Sequence, residues 1–423
     1  MIRSFLPLQP AGAGPLLTNV STLAPDSGRK LDGSCRQWRI PSSQRSHRSL
    51  RSRRVPRPLD LVNVTEAASG APVQSGSPGF ASRVRGCLSG GALGDQLGYA
   101  VEYSSWQEIE ARIGAGLQDF GQLDGPRHFS GVTQLTLYTL DGLTEALEWA
   151  NAGVAADEAA CLWLAYLRWY ATQDGRFPDS APEPQPRWID GQAVLHHRRS
   201  PGETCLSALT TGEMGTPTRP LNREARDGGA LVRSAPFGLL PFVSAETVYK
   251  LTVDGAAITH GHPSAQHSAA AFSGIIRMIV QEDAALPDAV RAAAARAGRE
   301  SAATGVAPAL RRALELAAGT QPEPADTPGS GHAEEALAAA IRAVLATAGA
   351  ATPEEHCRRA LAAAVGRRAG SAAIGSMAGQ LLGALYGESA LPEAWLRTAE
   401  APELVREMAN RFLALTQAPE QPA

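Results

Sequence analysis

Apolar residues recur at intervals of three and four along most of the chain after residue 80, which is the spacing of one face of an α-helix. The pattern is clearest over residues 131–150 and 156–171, where leucines and aromatic residues occupy the apolar positions. No segment shows the alternation with a period of two that indicates a β-strand. The sequence therefore predicts an all-α fold. Further helices are predicted over residues 86–101, 230–240, 245–258, 262–281, 286–302, 306–317, 332–348, 353–365, 371–386 and 402–415.

Turn-forming residues separate the predicted helices. Residues 174–202, rich in Pro, Arg and Asp, and residues 210–228 are predicted to be surface loops, and residues 319–331 form a Pro- and Gly-rich linker. Ser244 is the predicted N-cap of the helix that follows it, with Thr247 at the position where a capping box has glutamate. A capped start at this place supports the helix boundary indicated by the spacing.

Charge divides the chain into two parts. The first 80 residues carry a net charge of +7 and the remainder −10, and eight arginines lie between Arg36 and Arg57 among Ser, Gln and Pro. Such a segment has too few apolar residues to form a core, so we predict a disordered Arg/Ser/Pro-rich extension over residues 1–80. A single compact many-helix domain is predicted over 81–416, followed by a tail over 417–423.

The basic extension has other interpretations. An arginine run can bind nucleic acid or an anionic surface, although nothing else in the chain indicates nucleic acid as a partner. No methionine lies between Met1 and Met214. Translation in the cell could therefore also begin downstream, for example at Val73, in which case the extension is not part of the natural protein.

The cysteines and apolar segments argue against several protein classes. Five widely spaced cysteines, an odd number without a Cys-x-x-Cys pair, do not indicate a disulfide framework or a zinc site. No apolar run of about 18 residues predicts a membrane span, and no clear signal-peptide core opens the chain. We therefore expect a cytoplasmic location without a membrane partner, and the Ala- and Arg-rich body favours a bacterial source.

Small residues dominate two of the predicted helices, over residues 86–94 and 369–384. Each Gly within a helix costs about 1 kcal/mol relative to Ala, so close packing has to offset that cost. The sequence therefore predicts tight helix contacts at both segments, and these contacts are compatible with a cleft above them.

Several blocks of sequence occur in an order that is itself informative. They are Gly86 to Glu102 (GCLSGGALGDQLGYAVE), Ser130 to Thr136 (SGVTQLT), Pro201 to Leu206 (PGETCL), Asp227 to Pro236 (DGGALVRSAP), Thr259 to Pro263 (THGHP) and Ala369 to Gly387 (AGSAAIGSMAGQLLGALYG). Together they resemble the ADP-ribosylglycohydrolase family. Any one block alone, such as a Gly-rich turn or a His-Pro pair, is a weak signal.

The resemblance implies a compact many-helix fold and two bound magnesium ions. In the family the Ser130 block reads Thr/Ser-Asp-Asp-Thr-Gln-Met/Leu, and the last block contains Gly-Asp-Ser-Asp-Ser/Thr. The two ions orient ribose hydroxyls and activate a water that attacks an ADP-ribosyl bond. In this chain the implied ligand positions hold no carboxylate: they are Ser130, Gly131, Val132, Gly370, Ala372 and Ala373.

Ser130 alone among these positions keeps an oxygen-bearing side chain. Magnesium takes chiefly carboxylate oxygens as protein ligands, so we expect no metal cofactor. Asp141 cannot replace the missing acids, because eleven helical residues place it about 16 Å along the axis from Ser130.

Glu102 is the candidate catalytic residue. It matches the glutamate that ends the family's opening block and faces the cleft, and a single carboxylate can act as a general base. The alternative is an ordinary surface glutamate. Asp95 either orders the turn at Gly94 or takes part in catalysis, and the loop acids Asp124 and Asp227 could approach the cleft.

The candidate ligand-binding residues are Ser130, Gly228, Gly229, His262 and Ser371. The backbone amides of the Gly-Gly pair could approach a phosphate, although a plain tight turn is an equal alternative. His262, like His260, precedes a helix start and could cap that helix instead of contacting a ligand. Arg233 could pair with a phosphate or with an internal acid.

Three functions from different classes remain open at this point. The first is a pseudo-hydrolase that binds ADP-ribose or an ADP-ribosylated protein, or acts in regulation. The second is an active, metal-free hydrolase of an ADP-ribosyl bond that uses Glu102 or non-standard residues. The third is an interaction protein with a vestigial cleft.

Overall fold

The structure is a computed structural model that describes residues 77–105, 107–108, 111, 127–319, 331–366 and 370–416. In these ranges the chain is all-α, as predicted, and the only strand-like pairing is one isolated bridge between Asp227 and His332. Residues 1–76 of the predicted extension, the tail over 417–423 and Asp124 lie outside the described residues. None of the described helices is long and apolar enough to cross a membrane.

Fifteen α-helices lie in the described ranges. They are α1 (Phe80–Val101), α2 (Gly131–Asn151), α3 (Glu158–Asp174), α4 (Glu203–Thr210), α5 (Gly229–Val232), α6 (Ala235–Gly238), α7 (Ala245–Ala257), α8 (Pro263–Glu282), α9 (Leu286–Ala297), α10 (Val306–Ala317), α11 (Ala333–Ala346), α12 (Pro353–Val365), α13 (Ser371–Tyr386), α14 (Glu393–Thr398) and α15 (Pro402–Leu415). Short 3-10 helices occur at Trp188–Gly191, Ala193–His196 and Glu388–Ala390.

Most predicted boundaries agree with these helices, and the differences have local causes. Residues 230–240 form α5 and α6 instead of one helix, because Pro236 lacks the N–H that a continuous helix needs and fits the first turn of a new one. Ser244 caps α7 as predicted, since its hydroxyl accepts a hydrogen bond from the Thr247 N–H at 3.1 Å.

The contact between α1 and α13 lies at the centre of the fold. Glycines recur every fourth residue on one face of α1, and small residues recur at the same interval on α13. The two helices run antiparallel, so that Gly86 lies beside Gly383 and Gly94 beside Gly375. At each of these positions a methyl group would overlap a backbone carbonyl of the other helix. The predicted close packing of the two small-residue helices is therefore present.

Around this pair the other helices bury a continuous apolar core. Tyr138 of α2 and Tyr166 and Trp169 of α3 are buried in it, whereas Trp149 near the end of α2 is 49% exposed, because the last turn of α2 extends beyond the core. Burial of such side chains contributes about 2–3 kcal/mol each, which makes the apolar stripe of these helices a main source of stability. The stripe identified in the sequence is thus the core-facing side of α2 and α3.

The segment between α3 and α4, predicted as a surface loop, is anchored to the body instead. Ile189 and Leu195 from its two 3-10 helices are fully buried. The guanidinium of Arg187 bonds to Asp141 at 3.0 Å and to Glu148 at 2.9 Å, both on α2. These contacts hold the segment along α2 and direct its end toward the start of that helix.

The glycine contact generates a stability test with an internal control. In Gly94→Ala the added methyl group meets the Gly375 carbonyl, so the helices have to separate, and we expect a loss of about 3 kcal/mol in the free energy of unfolding. Gly274 on α8 has open space around its Cβ position, so Gly274→Ala is expected to stabilise by about 0.5–1 kcal/mol. Urea unfolding of both variants measures the difference. Equal effects would show that α1 and α13 are not held this closely.

Candidate functional site

The first element of the site is the start of α2, which an acid on α1 holds in place. Asp95 is fully buried and accepts four hydrogen bonds at 2.6–3.0 Å, from the backbone N–H and hydroxyl groups of Ser130 and Thr133. Ser130 is also the N-cap of α2, because its hydroxyl oxygen accepts the Val132 N–H at 3.1 Å. Asp95 therefore orders the beginning of α2 by satisfying N–H groups that have no partner within the helix.

Opposing effects act on the Asp95 carboxyl. Burial disfavours the charged form and raises the pKa of Asp95, whereas the hydrogen bonds from Thr133 and Ser130 lower it. Burial is the larger effect, and the resulting pKa is about 6. The same carboxyl is thus a structural cap and a group that titrates near neutral pH.

Glu102 plays the corresponding role at the start of α13. Its Oε1 accepts the N–H of Gly370 at 3.0 Å, and its Oε2 accepts the N–H of Ala372 at 2.7 Å. Burial raises the pKa of Glu102, and these two hydrogen bonds lower it. Both carboxylate oxygens are therefore bonded to the helix start that the sequence resemblance makes part of the magnesium site.

A short segment covers the first turn of α2. We call residues 197–201, which end the anchored segment before α4, the strap. The N–H of Gly131 donates to the carbonyl of Arg199 at 2.7 Å, and the side chain of Gln134 donates to the carbonyl of His197 at 2.8 Å. A methyl group on Gly131 would lie 2.7 Å from Cα of Pro201. The strap thus occupies the space into which a side chain at position 131 would extend.

Glu400 fastens the strap to the body. Its carboxylate accepts hydrogen bonds from the Arg199 guanidinium at 2.6 Å and from the Phe129 N–H at 3.0 Å, and it lies 2.6 Å from Nδ1 of His128. The N–H of Glu400 donates to the buried Gln96 side chain at 2.7 Å. The strap, the segment before α2 and the chain before α15 are therefore joined through one carboxylate.

A second polar cluster surrounds Asp227 before α5. Oδ1 of Asp227 accepts the Gly229 N–H at 3.0 Å and lies 3.0 Å from Nε2 of His260, and Oδ2 accepts the Thr204 hydroxyl at 2.6 Å. Desolvation raises the pKa of Asp227, but the hydrogen bond and charge interaction with His260 and the bonds to Thr204 and Gly229 outweigh it and keep the pKa well below its usual range. Burial lowers the pKa of His260, and its bond to Asp227 opposes that shift. Asp227 is consequently ionised and held in one orientation.

Arg233 lies behind this cluster and is fully buried. Its guanidinium donates to the Thr259 hydroxyl at 2.9 Å and to Sγ of Cys205 at 3.3 Å, and it stacks over the Tyr166 ring at 4.3 Å. The hydroxyl of Thr259 in turn lies 2.8 Å from Nδ1 of His260. Because arginine can only donate, the threonine proton is available to Nδ1, which leaves the His260 proton on Nε2 toward Asp227.

The predicted ligand-binding residues fall into two groups. Ser130 and Ser371 are buried, and their hydroxyls bond to Asp95 and to the Val365 carbonyl at 2.7 and 3.2 Å. Gly228, Gly229 and His262 are half-buried. The His262 ring also caps α8, because Nδ1 accepts the Ser264 N–H at 3.1 Å. A ligand that approaches from solvent meets the second group and not the first.

Several residues that shape the site were not identified from the sequence. Glu400, Arg199 and Thr133 carry no local signal, since each acts on a partner distant in the chain or through an ordinary helix position. Asp227 was noted only as a loop acid. Its proximity in sequence to the Gly-Gly pair was the available signal, while the pairing with His260 required the fold.

Comparisons with known proteins agree with the helical architecture. The profile of the ADP-ribosylglycohydrolase family matches residues 76–422. A solved structure titled "ADP-ribosylglycohydrolase-related protein complex" superposes with a TM-score of 0.54 at 23% sequence identity, covering 80% of this chain and 99% of that chain. None of the curated proteins matches. The structural likeness supports the fold, and the profile supports family membership.

The capping role of Asp95 predicts a specific pH dependence. The folded-state pKa of Asp95, about 6, lies above the ordinary value for aspartate, so the folded protein binds the proton more readily than the unfolded chain. Proton binding therefore stabilises the fold. This stabilisation is complete below about pH 4 and is lost as the pH rises through 6. Asparagine does not titrate. We therefore expect the stability of the wild type minus that of Asp95→Asn to fall by about 3 kcal/mol between about pH 4 and 7.

Denaturant unfolding of both proteins at several pH values measures this difference. A variant at an exposed acid, Glu393→Gln, controls for the general effect of removing a negative charge. A difference between wild type and Asp95→Asn that does not change with pH would contradict the assigned role.

Proposed function

Because the chain belongs to the ADP-ribosylglycohydrolase family, we propose that it binds an ADP-ribose-like ligand or an ADP-ribosylated protein in the family's cleft, without magnesium-dependent hydrolysis. Its role in this proposal is binding or regulation, in a bacterial cytoplasm. The observation that carries the proposal is which residues occupy the starts of α2 and α13. The resemblance places the metal-binding acids there, and this chain has small or apolar residues at those positions.

The residues at these starts do not fit a pair of magnesium ions. Magnesium requires several oxygen ligands in octahedral geometry. Position 131 has neither a side chain nor room for one, because the strap lies against it. Gly370 has no side chain, and Ala372 offers only a methyl group. In the described part of the chain, no group of three or more His, Cys, Asp or Glu side chains could hold a metal ion.

The acids that remain nearby have other partners. Asp95 accepts four hydrogen bonds from the start of α2, and Glu102 accepts two from the start of α13. These two bonds give Glu102 a structural role at the start of α13, although each oxygen keeps one lone-pair site that a water could use. The structural role supports a binding protein over the metal-free hydrolase centred on Glu102.

Ligand contact in this proposal uses the half-buried residues around α5. Apart from its chain neighbours, no atom of the described residues lies within 4 Å of the Cβ position of Gly228, which leaves room for a ligand beside the backbone, and His262 and Asp227 lie on the neighbouring segments. These polar groups support a binding protein over an interaction protein with a vestigial cleft.

Isothermal titration calorimetry tests the proposal directly. We expect ADP-ribose to bind equally well with magnesium and with chelator, because no step of binding uses the ion. We also expect no heat from magnesium or manganese alone. Metal binding at an affinity on the order of micromolar would overturn the proposal, since it requires acids that converge on the site. Absence of ADP-ribose binding would favour the interaction protein.

Glu102→Gln separates the binding protein from the metal-free hydrolase. In the variant an amide NH2 group faces one of the two N–H donors of α13, so we expect a loss of about 1 kcal/mol in stability and no change in enzymatic rate. Release of ADP-ribose from ADP-ribosyl-arginine or ADP-ribosyl-serine in chelator is the second measurement. A chelator-resistant rate that disappears in Glu102→Gln would establish the hydrolase instead.

A further inference from the structure

Asp227 differs from the other two acids of the site in its access to solvent. Asp95 is fully buried and both oxygens of Glu102 are bonded to backbone N–H groups, whereas the Asp227 side chain is 47% exposed. It is also held more rigidly than an ordinary surface aspartate, by three donors from three segments of the chain. A fixed carboxylate that remains open to solvent is suited to ligand contact.

Within the part of the chain that the structure describes, the hydrogen bonds to Asp227 leave one acceptor position open. An ionised carboxylate has about four lone-pair sites, two on each oxygen. Oδ1 uses both, for Gly229 and His260, while Oδ2 uses one, for Thr204. The remaining site on Oδ2 can accept one hydrogen bond from a ligand.

Three hydrogen bonds keep this carboxylate charged. Desolvation raises the pKa of Asp227, but the bonds from His260, Thr204 and Gly229 outweigh it and hold the pKa well below its usual range. Buried Arg233 lies behind these donors, because its guanidinium donates to the Thr259 hydroxyl, which contacts the His260 ring that bonds to Asp227. This chain of contacts fixes the His260 ring beside the carboxylate.

We propose that Asp227 is the specificity-determining residue of the cleft, and that its open Oδ2 position accepts a hydrogen bond from a sugar hydroxyl of the ligand. In this arrangement His260 and Thr204 are positioning residues, which fix the carboxylate without contacting the ligand. The inference rests on the proposed function, because it names the chemistry that the binding cleft recognises.

Charge decides between the possible ligand groups at this position. A phosphate oxygen carries the same sign of charge as the carboxylate and cannot donate a hydrogen bond, so it is repelled. A hydroxyl group donates, and its bond to an ionised acceptor is stronger than a neutral one. Asp227 thus favours the ribose part of an ADP-ribose-like ligand over its phosphates.

Calorimetry on two pairs of ligands tests the assignment. ADP-ribose against ADP reports on the distal ribose as a whole, and ADP against 2′-deoxy-ADP reports on the 2′-hydroxyl of the adenosine ribose. In the wild type we expect the hydroxyl-bearing ligand of one pair to bind about tenfold more tightly, and in Asp227→Asn we expect this ratio to fall toward one. A ratio that the variant leaves unchanged in both pairs would overturn the proposal.

Thr204 supplies a matched pair of positioning variants. Thr204→Val removes the hydroxyl that bonds to Oδ2 and keeps the shape of the side chain, while Thr204→Ser keeps the hydroxyl. We expect the valine variant to lose most of the ligand preference and the serine variant to retain it. Equal preferences in the two variants would contradict the positioning role, and thermal unfolding of both identifies any general loss of fold.

A titration with D-ribose alone separates this inference from the proposed function. The amide signal of Gly229, whose N–H bonds to Asp227, is followed by NMR in the wild type and in Asp227→Asn. We expect ribose to shift this signal in the wild type only. A shift without ADP-ribose binding would support the hydroxyl site while refuting the proposed function. An unmoved signal in the presence of both ligands would overturn the hydroxyl site.

Discussion

The close contact of α1 with α13 is the constraint on which the rest of the structure depends. Two helices whose backbones touch at every fourth residue have no freedom to slide or rotate against each other, because any shift brings a side chain onto a carbonyl group. Glycine costs helix stability at each position, and the dispersion contacts and Cα–H···O contacts of the two backbones offset that cost. The pair therefore serves as a rigid reference for the helices packed around it.

Two acids act from this reference, Asp95 on α1 and Glu102, the residue that caps the end of α1. Asp95 and Glu102 lie seven residues apart, about two turns, so both project from a similar side of the helix. One reaches the start of α2 and the other the start of α13. Each carboxylate satisfies N–H groups that a helix start leaves without partners. An architecture that brings two helix starts together beside one helix can hold metal-binding acids at those starts. In this chain the same starts hold small and apolar residues, and the strap lies over one of them.

Polarity at the site is concentrated elsewhere, around Asp227. The buried guanidinium of Arg233 donates to Thr259, and the contacts continue through His260 to the half-exposed carboxylate of Asp227. This network keeps the surface around Asp227 polar. It also accounts for the fixed orientation of Asp227, since a carboxylate with three donors from separate segments cannot turn without breaking one of them.

The sequence by itself determined the helices and their tight central contact. Periodicity located α2, α10, α12, α13 and α15 almost to the residue, because the apolar face of a helix is a local property of spacing. Family membership also followed from the order of short blocks. The hydrogen-bond partners of the polar groups could not be predicted from the sequence. Glu102 bonds to Gly370 and Ala372 across more than 260 residues, the strap reaches Gly131 from a segment that looked like a surface loop, and Asp227 meets His260 from another element. Such contacts depend on how helices pack in three dimensions, so only the tertiary structure decided which acids are committed to the fold and which one faces solvent.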